Sequence, residues 1–418
     1  MSLFMRGGLR FAAASTVAIL AALASGSSAA ADPAPSFREL LTQAQTAAPQ
    51  LAEAAGEVRQ AEGLAQQARA RPNPTLGLDV ENFSGSGPYK GSSEAESTLS
   101  FGQALELGGK RGARVAAGRA GLAAARAQFS LARADYAFAL AEAYAEAEAA
   151  ERQVTLAQEG LSLTEEVLRI SQALVDAGRE AELRSLQARS AVTGARAALE
   201  AAQAARASAF ARLTALAGSP APFTSLGDSL LTKAAATARN VDLLTTPAVI
   251  AAEAEREAAA RRVRVERTRA VPDVTLSAGV RRFSADDSTA LVAGISVPIP
   301  VFDQNRGNIT AAQGELLSAE ARLARARLEA QAELRTALFQ VDAAQTRVSA
   351  AVETEQTAQE AYQLTRVAYE AGKAPLLELI NARRSLAEAR TQTIEAQLAR
   401  LRAEAGLARL QGRPLGDL

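Results

Sequence analysis

Two short stretches hold the charges whose spacing points most clearly to chemistry: "VDAGRE" over 175–180 and "YEAGK" over 369–373. In each, an acidic residue shortly precedes a glycine and a basic residue directly follows it. The residues are Asp176, Gly178 and Arg179 in the first, and Glu370, Gly372 and Lys373 in the second. Such a set can pair with a neighbour, repel copies of itself around an axis, or attract cations to that axis. It supplies no nucleophile. The chain has no histidine and no cysteine, and its two methionines are Met1 and Met5. A Ser-His-Asp triad is therefore impossible. Carboxylates alone hold zinc or copper poorly beside imidazole or thiolate, and no glycine-rich phosphate loop occurs. No catalytic residue, cofactor site or metal site is expected. The plainer reading of both stretches is a solvated turn closed by a glycine cap, and for the glycines the two readings coexist.

The elements around these turns are very long. From Gly112 to about Ala177 there is no proline, and the composition is helical throughout. At about 1.5 Å rise per residue such a helix reaches on the order of 100 Å. A return helix runs from about Ala181 to Ala217 and stops at "GSPAP". The second turn likewise joins a helix from about Gly307 to Ala371 with a return helix to about Leu410. Alanine, glutamate, arginine and leucine dominate, and only 4% of residues are aromatic. That composition suits long helices packed side by side rather than a thick globular core. Ser36 and Glu39 form a capping box that opens a shorter helical pair ending at "RPNP".

Each long helix is preceded by a strand pattern. Leu76, Leu78 and Val80 alternate with Thr75, Gly77, Asp79 and Glu81, and Leu99, Phe101, Leu105 and Leu107 alternate with small or polar residues. "PDVTLSAGVRRF" over 272–283 repeats "PNPTLGLDVENF" over 72–83, and Arg306-Gly307 repeats Arg111-Gly112. With the two glycine turns, these matches in one order mark an internal duplication. The strand-to-helix junctions are expected at Gly108, Gly109, Arg111 and Gly112, and at Pro298, Pro300, Asp303, Asn305, Arg306 and Gly307. There the prolines end pairing, Asp303 or Asn305 caps the helix, and Gly307 permits the bend.

Four strands per chain leave two unpaired edges, and in a membrane each unpaired backbone group costs several kcal/mol. Three chains would close about twelve strands, an even number within the range of outer-membrane barrels. The apolar faces would then meet lipid, and Asp79, Glu81 and Arg281 would line water. The N-terminus supports export: Arg6 and Arg10 precede a short apolar run and small residues, with a cleavage point between Ala31 and Asp32. Without cysteine, no lipid can be attached at a mature N-terminal cysteine. The net formal charge is zero, so nothing points to nucleic acid. The competing reading is a soluble periplasmic coiled coil, an adaptor or structural protein. The export signal, the paired hairpins and the lack of sustained heptads with Leu or Ile at both core positions argue against it.

The whole order resembles the outer membrane factor, or TolC-like, efflux family. "FGQALELGGKRGARVAAGRA" and "GISVPIPVFDQNRGNITAAQGE" are similar to its cobalt-zinc-cadmium resistance (CzcC-like) branch. The resemblance implies a mainly α fold with membrane β: a homotrimer whose 12-stranded barrel continues into a long periplasmic α-helical barrel. It also implies a periplasmic adaptor (membrane fusion) protein and an inner-membrane RND-type transporter as partners, adaptor docking and gating at the two turns, and a passive conduit, most similar to those exporting heavy metals. Drug-efflux and type I secretion channels are the alternatives within the family. The expected organisation is a signal peptide over 1–31 and N-terminal helices leading into an equatorial region over 32–73. A first repeat covers 74–217 (β-hairpin 74–107, helical hairpin 112–217), followed by an equatorial linker and helix over 218–271. A second repeat covers 272–411 (β-hairpin 272–302, helical hairpin 307–411), with a tail over 412–418.

Overall fold

The computed structural model describes residues 34–233 and 242–413, so the expected signal peptide over 1–31 and most of the tail lie outside the described residues. Two helices come first, α1 (Phe37–Ala47) and α2 (Pro49–Gln67). The Ser36–Glu39 capping box opens α1, and Pro49 sits in the first turn of α2, where its missing N–H costs nothing. Then come β1 (Thr75–Glu81), β2 (Glu96–Leu105), α3 (Lys110–Asp176) and α4 (Glu182–Ala217). The order then repeats: α5 (Pro247–Arg269), β3 (Val274–Phe283), β4 (Thr289–Ser296), α6 (Arg306–Glu370) and α7 (Leu376–Leu410).

The four strands form one antiparallel sheet in the order β1-β2-β3-β4. The central β2–β3 pairing joins the two repeats, with Leu99 opposite Val280 and Thr98 opposite Arg281. Because side chains alternate, this register puts Leu76, Leu78, Leu99, Phe101, Val280 and Leu291 on one face. That face is bare in the single chain: Leu76 is 74% and Leu291 88% exposed. β1 and β4 are free edges among the described residues. No described helix is long and apolar enough to cross a membrane.

α3 is 67 residues long and α6 is 65. Each is flanked toward the sheet by a short helix, α2 or α5, and toward the turns by its return helix, α4 or α7. The densest core lies where these partners change over, near the middle of α3. Tyr136, Leu140 and Tyr144 there pack with Phe37 and Leu40 of α1 and with Phe210 and Leu213 of α4. Alanines fill the rest of this stretch of α3. A small side chain lets helices approach closely, so a sequence with few large hydrophobes still makes a dense seam.

Two expectations at the strand-to-helix junctions need correction. The helices begin earlier than expected, at Lys110 and Arg306, so Gly112 and Gly307 lie inside their first turns and do not make the bends. The left-handed residues are Gly108 (φ 67°) and Gly109 (φ 76°) in the first repeat and Asn305 (φ 56°) in the second. Asparagine tolerates this region better than most residues with a Cβ. Asn305 occupies the N-cap position of α6 as expected, but its side chain makes no cap bond. The Asp303 carboxylate accepts from the Asn305 N–H at 2.9 Å, closing a turn ahead of the helix.

Candidate functional site

The two helix turns share one pattern of hydrogen bonds. In the first, the Gly178 N–H donates to the Val175 carbonyl at 2.9 Å and the Arg179 N–H to that of Leu174 at 2.9 Å. In the second, Gly372 donates to Tyr369 at 2.9 Å and Lys373 to Ala368 at 2.8 Å. Both are Schellman caps with glycine left-handed at C′, φ 66° and 72°. The cap leaves Asp176 and Glu370 as the last helical residues and puts Arg179 and Lys373 just past the end, all exposed. Glu370 faces Arg366 at 3.8 Å. Asp176, Arg179 and Lys373 make no ion pair among the described residues.

The junctions tie strands, helices and repeats together. Lys110 at the start of α3 pairs with Asp273 before β3 at 2.7 Å, and the Leu107 N–H donates to the same carboxylate at 3.2 Å. Arg111 donates to the Arg69 carbonyl at 2.9 Å, and Arg114 to the Ala70 carbonyl at 3.1 Å, satisfying acceptors past the end of α2. In the second repeat this task falls to Asn305, whose side-chain amide donates to the Glu266 carbonyl of α5 at 2.7 Å. Arg306 is exposed and does not reproduce the contact of Arg111, although the two align in sequence. Pro298 and Pro300 follow the end of β4 at Ser296, in an apolar segment whose Phe302 is wholly exposed.

The second face of the sheet is polar. Thr75, Gly77, Ser100, Gly102, Ser277 and Gly294 occupy the half nearer the helices. Asp79, Glu81 and Arg281 come together on this face at the loop end. Arg281 donates to the Thr98 hydroxyl at 2.8 Å and to Glu96 at 2.8 Å, and contacts Glu81 at 3.1 Å. The sequence reasoning missed Glu96 and Thr98. Carrying the alternation of Leu99 and Phe101 back along the same strand would have placed both on this face.

A strap over 225–233 crosses the middle of α3. Its backbone N–H groups at Leu230 and Leu231 donate to the buried Glu148 carboxylate at 2.7 and 3.0 Å. Arg152 donates to the same carboxylate at 2.6 Å. Tyr144 donates to the Asp228 carbonyl at 3.0 Å. Buried Arg400 of α7 donates to the Leu231 carbonyl at 2.8 Å and lies 3.7 Å from buried Glu404. Burial pushes the Tyr136 and Tyr144 phenols up to about 12. The Lys233 ammonium, hydrogen-bonded to Asp228, holds that carboxyl below its usual range. Among the described residues no cluster of acidic side chains is arranged to hold a metal ion.

A single sheet bearing two long helical hairpins, related by duplication and joined at β2–β3, is the architecture of TolC-like outer-membrane channels. The CmeC outer membrane channel of Campylobacter jejuni shares this fold at a TM-score of 0.77 and 16% identity, over 90% of this chain and 85% of CmeC. Residues 40–219 and 241–413 match the family described as outer membrane efflux protein, and the chain belongs to that family. It is 44% identical to the nickel-cobalt-cadmium resistance protein NccC of Alcaligenes xylosoxydans xylosoxydans, over 97% of this chain and 92% of NccC. It is 46% identical to the nickel and cobalt resistance protein CnrC of Cupriavidus metallidurans, over 74% of each chain. The protein is thus an outer-membrane efflux channel, resembling relatives named for heavy-metal resistance.

Proposed function

We propose that three copies of this chain close their sheets edge to edge into a twelve-stranded barrel and carry heavy-metal cations of the nickel, cobalt and cadmium class out of the periplasm. The similarity to NccC along nearly the whole chain carries the substrate reading. The free edges of β1 and β4 and the bare apolar face support closure by further copies. In this reading Asp79, Glu81 and Arg281 face the lumen, and the two glycine turns form the periplasmic mouth. A periplasmic adaptor docks at Asp176, Gly178, Arg179, Glu370, Gly372 and Lys373, and an inner-membrane RND-type transporter supplies the energy. The exported chain carries no lipid. A wall without imidazole or thiolate holds such cations weakly, which suits a conduit and leaves selection to the pump.

Deleting the gene tests the substrate. The expected result is lowered tolerance to nickel, cobalt or cadmium with drug tolerance unchanged. Loss of drug tolerance alone would transfer the chain to the drug-efflux class, and a defect in a secreted protein alone to type I secretion. Native mass spectrometry of the detergent-extracted protein tests the assembly, with trimers expected. A soluble periplasmic monomer would instead support the adaptor or structural reading.

A further inference from the structure

The charges on the polar face of the sheet are unevenly placed. Thr75, Gly77, Ser100, Gly102, Ser277 and Gly294 are uncharged and small, and the Ser277 hydroxyl turns back onto the Gly294 carbonyl at 3.3 Å. Every formal charge on this face of the strands sits at the loop end: Asp79, Glu81, Glu96 and Arg281. Glu81 and Glu96 are directly opposite each other on β1 and β2, a like-charge cross-strand pair that is unfavourable by itself. Arg281 relieves it. From β3 its guanidinium reaches Glu96 at 2.8 Å and Glu81 at 3.1 Å, and it is fixed in place by the Thr98 hydroxyl at 2.8 Å. Thr98 is buried, so this anchor is shielded from water. Asp79, two pairs further from the loops than Glu81, is exposed and has no partner among the described residues.

We infer that Arg281 sets the charge selectivity of the conduit at its outer end, by bridging two facing carboxylates and offsetting one of their two charges, while Asp79 stays unpaired among the described residues. The inference rests on the proposed closure that turns this face inward. A narrow ring of fixed charge in a water-filled passage biases permeation by its net sign. With Arg281 in place Asp79, Glu81, Glu96 and Arg281 sum to −2 per chain, so the ring favours cations, and less strongly than the three carboxylates would alone. Removing the guanidinium leaves the carboxylates unopposed at one level of the passage.

The test uses the full-length protein reconstituted in planar bilayers across a potassium chloride gradient. Relative to wild type, Arg281→Gln should raise the cation-over-anion permeability ratio by about two-fold or more. The double change Glu81→Gln with Glu96→Gln, and separately Asp79→Asn, should lower it. Arg281→Lys keeps the charge without the planar fork and should keep the wild-type ratio. That outcome separates an electrostatic role from a merely structural one. Because the chain has no cysteine, Ser100→Cys and Leu99→Cys report which face is wet through labelling by a membrane-impermeant thiol reagent. Labelling at position 100 but not 99, with an unchanged ratio in Arg281→Gln, overturns this inference and leaves the channel reading intact. Labelling at 99 but not 100 overturns the inward face and this inference with it. If Arg281→Gln does not assemble, the neutral-carboxylate variants still decide: unchanged ratios in both overturn the inference.

Discussion

Gly178 and Gly372 occupy the one backbone conformation that lets each long helix stop and its chain turn back within a few residues. At φ 66° and 72° a Cβ is strained even though open space surrounds it. Gly178→Ala and Gly372→Ala are each expected to cost about 1 kcal/mol. Gly307→Ala is expected to be neutral or stabilising by up to about 1 kcal/mol, because Gly307 is already helical with nothing near its missing Cβ. Thermal unfolding of the purified variants by circular dichroism checks this. Equal losses at all three glycines would contradict the assignment of the bends to Gly178, Gly372 and Asn305. Gly108 is a harder case, since φ is 67° and a Cβ would meet Val271 at 2.8 Å, so its replacement disturbs the β2–α3 joint directly.

At the scale of elements, the strap over 225–233 holds the middle of α3 to the end of α7. Its anchors are charged groups buried in a mainly alanine seam, and buried charges are costly unless paired. Arg400 and Glu404 are 7% and 5% exposed, and removing Arg400 takes the donor from the Leu231 and Lys233 carbonyls. Arg400→Ala is therefore expected to destabilise the fold by about 1–3 kcal/mol. Hydrogen exchange should show the loss first in the strap and the end of α7, whereas a uniform loss would argue against a local anchor. Tyr136 and Tyr144 add a pH dependence of definite sign. Folding favours the neutral phenol, with a pKa near 12 against an ordinary 10.0. Stability from these groups is complete below pH 10, where the phenol is neutral in both states. It falls as pH rises from 10 toward 12, where the unfolded chain ionises and the folded chain does not. The expected observation is an alkaline decline in melting temperature that is shallower in the Tyr136→Phe, Tyr144→Phe double variant. That variant also loses the bonds to the Leu216 and Asp228 carbonyls, so its melting temperature at neutral pH should be lower.

For the whole molecule, α6 has two apolar stripes with different fates. Ala319, Leu323, Ala330, Ala337, Val341 and Ala344 form the stripe buried within the chain. Leu317, Leu328 and Phe339 recur at eleven-residue spacing on a second stripe, and Phe339 is 76% exposed. An eleven-residue period keeps one face of a nearly straight helix aligned over several turns. In the proposed trimer this stripe is buried against a neighbouring chain. Leu328→Asp with Phe339→Asp should then abolish trimers in native mass spectrometry while preserving helical circular dichroism. Intact trimers would place the stripe on the outside of the assembly.

What could be read in advance was local. Prolines, glycine turns and the change from period two to period 3.6 are written along the chain. They sufficed for the strands, the long hairpins, the duplication and the resemblance to outer membrane factors. The alanine seams were less legible, because alanine also recurs off them and so marks no face by itself. The left-handed residue at the second junction was misplaced by two positions, since a glycine and an asparagine stand close together and either can bend the chain. Tertiary structure alone decided the rest: that β2 pairs with β3, that Arg281 on β3 bridges Glu81 and Glu96 on two other strands, and that Glu148 and Arg400 are buried beneath a strap. Those contacts join residues far apart in sequence, so no local pattern records them. They follow only once the sheet register and the helix packing have brought the groups within reach.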